Sequence, residues 1–230
     1  MMNATVDHAN PDITDFRSRI AGREVTVGIL GLGYVGLPLA LAALRAGFKV
    51  VGFDIDQQRV AQLARGECGI KHIDTAALRE AVARKAFRAT SDFDELGTPD
   101  AILIAVPTPL NRNREPDLTF VENSTREIAQ RLRPGQLIVL ESTTWPGTTA
   151  EVMKPILEAR GLVCGSDFYL AYSPEREDPG NAQYGTASIP KVVGADDEGS
   201  LAVANALYEA LVARTVPVSS AATAEIGRAH

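Results

Sequence analysis

The chain has 230 residues, of which 45% are hydrophobic and 23% charged. That apolar share can bury one large core, or one domain plus a short appendage. A formal net charge of −6 argues against nucleic acid or an anionic membrane surface as partner; it leaves phosphate ligands open, because helix N-termini and backbone amides bind them without net basic charge.

Residues 1–22 read as a polar leader without the basic and apolar regions of a signal peptide. Phe16 and Ile20 stand at i and i+4 and can anchor one helical turn to the body. From Glu24 the pattern turns regular. Residues 25–30 are a short β-branched run, predicting a buried strand, and glycines follow it. A helix is predicted over 35–46, closed by Gly47, then a strand over 49–55 and a helix over 57–64 ending at Gly66. Thr75 is read as the cap of a helix over 75–83. Strands over 101–106 and 136–140 flank a helix over 118–132, stopped by Pro134 and Gly135. A helix over 148–160 carries Pro155 as a potential kink. Strands over 168–172, 191–193 and 215–218 and a helix over 198–213 complete the series. This alternation predicts an α/β fold, a Rossmann-type doubly wound parallel sheet with helices on both faces. The domain is placed at 23–218, with 219–230 beyond it. No apolar run approaches the roughly 20 residues of a membrane span.

The strongest motif is Gly31-Leu32-Gly33-Tyr34-Val35-Gly36, a GxGxxG turn that follows a strand and opens a helix. Alone the pattern is weak; this context gives it meaning. Gly31 permits the tight turn, Gly33 lets the backbone approach a pyrophosphate, and Gly36 allows close helix–strand packing. The amides of this turn, Tyr34 and Val35 included, sit at the positive end of the helix. Asp54 ends the second predicted strand, 18 residues after Gly36, near the separation of about 20 expected for a ribose-binding acid. A carboxylate there accepts bonds from adenosine ribose hydroxyls and repels a 2′-phosphate, favouring NAD over NADP. The competing reading makes it a cap for the next helix, a task Asp56 can also serve. Arg59 either faces the cofactor or is a solvated helix-face cation.

The segments VGILGLGYVGLPLALA, GFDID, AVPTPL, ESTTWPGTT and YSPEREDPGN, in this order over about residues 24–218, resemble the UDP-glucose/GDP-mannose dehydrogenase family. The SPEREDPGN form is closer to the branch acting on UDP-N-acetylhexosamines. The resemblance implies oxidation of a sugar C6 alcohol to a carboxylate in two NAD-dependent steps, for polysaccharide biosynthesis, with a cysteine carrying the intermediate. It implies that Gly31, Gly33, Gly36, Asp54 and Arg59 contact NAD, that Thr108 lies along the cofactor, and that Ser142 and Thr143 stand beside the nicotinamide, Thr143 also ordering the hydrolytic water. Glu175 corresponds to a glutamate acting in proton transfer or water activation, and Arg176 and Glu177 would face substrate. Plainer roles stay open: a turn residue for Thr108, strand-end caps for Ser142 and Thr143, and a salt bridge between Glu175 and Arg176.

Cys68 and Cys164 form no disulfide framework, which fits a reducing, cytoplasmic setting. Neither corresponds to the family's catalytic cysteine, nor does residue 228 match its central-helix lysine; the resemblance implies that 219–230 is the truncated start of that central helix, so the chain reads as an NAD half that stops before the substrate half. Homodimerisation belongs to the full-length family. His8, His72 and His230 have no companions suggesting a metal. A non-catalytic NAD-binding module and a two-electron dehydrogenase of another family are the remaining readings.

Overall fold

The computed structural model describes residues 12–70, 73–110, 116–175 and 190–226. Its strands are β1 (Thr26–Leu30), β2 (Lys49–Phe53), β3 (Phe87–Thr90), β4 (Ala101–Ile104), β5 (Leu137–Leu140), β6 (Tyr169–Tyr172), β7 (Lys191–Gly194) and β8 (Thr215–Val218). Its α-helices are α1 (Ile13–Ala21), α2 (Gly36–Arg45), α3 (Gln57–Ala64), α4 (Thr75–Ala83), α5 (Thr119–Arg131), α6 (Lys154–Glu158), α7 (Glu198–Leu211) and α8 (Ala221–Ile226).

Side chains alternate faces along a strand, so a sheet covered on both sides needs apolar residues at every position. AILI in β4, LIVL in β5 and YLAY in β6 meet that demand and are wholly buried. Val27, Ile29, Leu103 and Val139 join one core with Phe16, Leu37, Leu78 and Leu207. Leu30, Ile102, Ile104 and Leu140 join the other with Val121, Ile128, Leu157 and Ala224. Helices α1, α2, α4 and α7 therefore lie on one face, and α5, α6 and α8 on the other. Helix α1 extends the anchor read from Phe16 and Ile20 to nine residues, and Phe16 meets the Tyr169 ring edge-on at 5.9 Å.

The strands form one sheet in the order β3-β2-β1-β4-β5-β6-β7-β8. Neighbours are parallel from β3 through β6. This is the 3-2-1-4-5-6 order of doubly wound dinucleotide folds, with its switch point between β1 and β4. The expected parallel sheet needs one correction: β7 runs antiparallel to β6, paired at Tyr172 and Gly194, and β8 is parallel to β7.

Local departures have simple causes. Strand β3 has no counterpart among the predicted strands; it is an edge strand with one buried residue, Phe87, so FRAT shows no apolar pattern. Asp74 rather than Thr75 caps α4, accepting the Ala77 N–H at 3.0 Å. The helix expected over 148–160 is a π-helical segment, Thr148–Met153, followed by α6. Pro155 is the second residue of α6, just past the junction with the π-helical segment, so the helix changes its winding where the proline enters.

At the amino end of β4, Asp100 ties three elements together. It accepts the Thr26 N–H at 2.9 Å and the guanidinium groups of Arg19 at 2.9 Å and Arg133 at 3.1 Å. Burial alone would push this carboxyl up; the Thr26 amide and the two arginines outweigh it and hold it below its ordinary value of 3.8. A depressed folded value means the stabilisation is present above the unfolded value and is lost as pH falls through the folded one. Asp100→Asn is therefore expected to flatten the acid limb of a plot of Tm against pH below about pH 4. An acid limb identical to the parent's would show that Asp100 carries no such linkage.

Candidate functional site

The site lies at the carboxyl ends of β1, β2, β4 and β5. Strand β1 ends at Leu30, and the chain turns through residues 31–35 into α2. Gly31 takes φ +95°, a conformation that strains any side chain, and its N–H donates to the Phe53 carbonyl at 2.8 Å. A Cβ on Gly36 would lie 1.8 Å from the Gly31 oxygen, whereas one on Gly33 would meet nothing within 4 Å. Gly36 is thus a packing glycine, and Gly33 faces open space.

The start of α2 carries no capping side chain and no acid in its first turn. By contrast, α1, α3, α4 and α7 are capped by Asp12, Asp56, Asp74 and Asp197. First-turn amides lack intrahelical partners, and the helix dipole adds partial positive charge. Past Leu32, whose N–H is taken up by Asp54, the turn therefore offers an anion cradle without a capping side chain. Tyr34 is exposed beside it.

Asp54 follows β2 and is only 6% exposed. Its carboxylate accepts the Leu32 N–H at 2.9 Å, the Asp56 N–H at 2.9 Å and Arg59 Nη1 at 2.9 Å. It thus touches the glycine turn directly. The competing reading of Asp54 as a helix cap is answered by Asp56, which accepts the Gln58 and Arg59 amides at 3.0 and 3.1 Å. Arg59 pairs with Asp54 while its side chain stays 40% exposed, and that hydrogen bond raises its pKa. A cleft of about 300 Å³ opens beside the turn, lined by Leu32, Leu37, Asp56, Arg59, Cys68 and Ile70.

On the other half of the crevice, Thr108 is half-buried in the loop after β4 and Thr143 is exposed after β5. The buried Ser142 donates its hydroxyl to the Val106 carbonyl at 2.6 Å. Its own carbonyl accepts the Tyr172 hydroxyl at 3.2 Å. Glu175 is buried after β6. Arg176 and Glu177 lie outside the described residues, and so does any pairing of Glu175 with Arg176.

Sequence reasoning passed over a buried cluster beneath these residues. Lys191 Nζ donates to Glu141 at 2.6 Å and to the Pro174 carbonyl at 3.1 Å. Tyr208 donates its hydroxyl to the other Glu141 oxygen. Burial pushes Glu141 up, opposed by Lys191 and reinforced by Glu175. Burial and the same Glu141 raise the Tyr208 phenol. The visible signal was a lysine heading an apolar strand and a glutamate ending one. Their partnership across 50 residues leaves no periodicity to read.

Neither cysteine has the setting of a nucleophile. Burial, helped by Asp197, pushes the Cys164 thiol up to about 12, which disfavours its thiolate; Cys68 lines the cleft with Asp56 and Arg59, on the β2 half of the crevice and away from the loops after β4 and β5. Among the described residues no helix is long and apolar enough to cross a membrane.

Residues 25–212 match the UDP-glucose/GDP-mannose dehydrogenase family, NAD binding domain. The chain belongs to this family. Its cofactor is accordingly NAD, and the open space over Gly33 with the uncapped start of α2 fits a pyrophosphate. Among dehydrogenases of this family, the chain is 36% identical over 210 residues to a UDP-N-acetyl-D-glucosamine 6-dehydrogenase of Pseudomonas aeruginosa, covering 90% of this chain and 48% of that protein. Solved relatives include a UDP-D-ManNAc dehydrogenase from Pyrococcus horikoshii, with TM-score 0.83 and 33% identity over 88% of this chain and 49% of that one. An NDP-N-acetyl-D-galactosaminuronic acid dehydrogenase from Methanosarcina mazei Go1 gives TM-score 0.81 and 32% identity, covering 92% and 48%. The chain spans about half the length of the curated relatives it matches. A 3-hydroxyisobutyrate dehydrogenase from Salmonella typhimurium, at 20% identity and TM-score 0.56, shares the fold alone.

Proposed function

We propose that this domain is the NAD half of a UDP-N-acetylhexosamine 6-dehydrogenase, which oxidises the sugar C6 hydroxyl to a carboxylate for polysaccharide biosynthesis. The observation that supports the reading is the contact between Asp54 and Leu32: a buried carboxylate meets the glycine turn at the start of a helix that has no side-chain cap. A carboxylate has about four lone-pair sites. Three donors reach Asp54 here, so acceptor capacity remains for a ribose hydroxyl.

In this reading the turn from Gly31 to Gly36 surrounds the pyrophosphate through the amides of residues 33–36, those of Tyr34 and Val35 included, while the Gly31 and Leu32 amides are held by the Phe53 carbonyl and Asp54. Arg59 steadies Asp54. Thr108, Ser142 and Thr143 line the nicotinamide half, and NAD when bound supplies the hydride acceptor. Glu175 handles the proton, while Arg176 and Glu177 face substrate. The setting is the cytoplasm, and the family's homodimer is the expected assembly of the complete enzyme.

Four-electron oxidation to a carboxylate needs a thiolate to hold the intermediate as a thioester. Cys164 is unsuited by its raised pKa, and Cys68 lines the cleft beside Arg59, on the half of the crevice given to adenosine. The 230-residue chain is therefore expected to bind NAD in calorimetry but to form no sustained NADH with UDP-N-acetylglucosamine. Adding a polypeptide that carries the reactive cysteine is expected to restore turnover. Robust turnover by this chain alone would sink the assignment of the missing chemistry to another segment.

A further inference from the structure

The turn that follows Thr143 is held by a residue from a distant part of the chain. Glu225, on α8, is 1% exposed. Its carboxylate accepts the Gly147 N–H at 2.5 Å, the Thr149 N–H at 2.9 Å and the Thr149 hydroxyl at 2.7 Å. These donors open the helical segment over 148–158, where amides lack intrahelical partners and a negative charge is favoured. The capping group that the local sequence does not provide thus arrives from 76 residues away.

The base of this grip is itself fixed. Ala221 and Ala224 are buried in the second core. Helix α8 approaches β7 so closely that a Cβ on Gly194 would stand 2.3 Å from the Ser220 carbonyl oxygen. The turn is also tied internally: the Thr144 and Thr148 hydroxyls are bonded, and Thr148 donates its hydroxyl to the Trp145 carbonyl at 2.9 Å. At its other end Ser142 is tied to Val106. Residues 142–149 are consequently a wall pinned at both ends, one end by Glu225.

In a doubly wound sheet the dinucleotide lies across the switch point, one nucleotide over each half. With adenosine at Asp54, after β2, the nicotinamide falls over β4 and β5, against residues 142–145. We infer that Glu225 is a positioning residue for the nicotinamide half of the cofactor site, setting that wall through Gly147 and Thr149. The inference rests on the proposed cofactor reading. It deepens it by dividing the site: Glu225 bonds to nothing on β1, β2 or the glycine turn, so its removal should separate the two ends of the dinucleotide.

The chain itself offers the measurement. Trp145 is the single tryptophan, 39% exposed on this wall, so its emission reports the wall and its energy transfer to NADH reports the ring's approach. Glu225→Gln and Thr149→Val keep side-chain size while weakening the grip. For each, affinity for NADH and for ADP-ribose, which lacks the nicotinamide, is measured along with Trp145 quenching at saturating NADH. Glu225→Gln is expected to weaken NADH about tenfold, the scale of one charge-assisted hydrogen bond. It should reduce the quenching and leave ADP-ribose within about twofold. Thr149→Val should give the same split with a smaller loss. ADP-ribose binding doubles as the proof of folding, and if Glu225→Gln does not fold, Thr149→Val decides alone by the same criterion. Equal losses for both ligands, or no loss for either, overturn the inference while leaving the cofactor reading intact. A parent chain that binds neither ligand overturns both.

Discussion

Asp54→Asn is expected to weaken NAD binding by about ten- to a hundredfold and to narrow the preference for NAD over NADP, if the proposed ribose role of Asp54 holds. The magnitude follows from losing a hydrogen bond to a charged acceptor, about 1.5–3 kcal/mol, at about 1.4 kcal/mol per factor of ten. The narrowing follows because a neutral amide no longer repels a 2′-phosphate. The variant also loses stability on the order of 1–3 kcal/mol, since an amide nitrogen turned toward Leu32 N–H or Arg59 sets donor against donor. Asp56→Asn is the matched control. Asparagine caps a helix as well as aspartate, and Asp56 accepts only the α3 amides and a distant Arg59 contact at 3.8 Å. Calorimetry with both cofactors on both variants checks this. Equal NAD affinity in Asp54→Asn and the parent would remove Asp54 from the site.

The second large effect separates two glycines of one motif. Gly36→Ala forces a methyl to 1.8 Å from the Gly31 oxygen and 3.0 Å from Ile29 Cγ2. Backbone cannot swing aside as a flexible side chain can, so the cost lies at or above the upper end of overpacking, about 3 kcal/mol. At about 2–4 °C per kcal/mol for a domain of this size, Tm falls by roughly 10 °C, and NAD binding goes with the displaced turn. Gly33→Ala meets no atom within 4 Å, so Tm stays within about 2 °C. Yet in the proposed reading its methyl stands where the pyrophosphate lies, and NAD affinity is expected to fall by about a hundredfold or more. Thermal melts and NAD titrations of the two variants form a cross. Gly33→Ala binding NAD like the parent would move the pyrophosphate away from this turn.

The cofactor half was legible because its signals are local. The run into Gly31, the spacing of the three glycines, and an acid at the end of the next strand lie within 30 residues, and each states its own geometric need. The family resemblance added Thr108, Ser142, Thr143 and Glu175, and the structure sets these on the carboxyl edge of the sheet. Asp56 settled what sequence left open, because only coordinates show which of two nearby acids caps α3 and which turns toward Leu32.

What escaped was non-local or unpatterned. Strand β3 buries one residue, and a strand with one buried position has no period to detect. The reversal of β7 leaves no mark in KVVG, whose apolar content suits either direction. Lys191 with Glu141, and Glu225 with Gly147 and Thr149, are partners across 50 and 76 residues, each with an unremarkable sequence neighbourhood.

What could be read from the chain alone, then, was the alternating α/β build and the tight glycine turn between β1 and α2, because apolar periodicity and glycine sterics act within a few residues of the chain. Tertiary structure alone decided the direction of β7, the capping of the segment after Pro146 by Glu225, and the burial of a lysine–glutamate pair under the site. Those outcomes depend on which charges and unpaired amides meet once the layers close, and a buried charge or amide must find its partner wherever in the chain that partner stands.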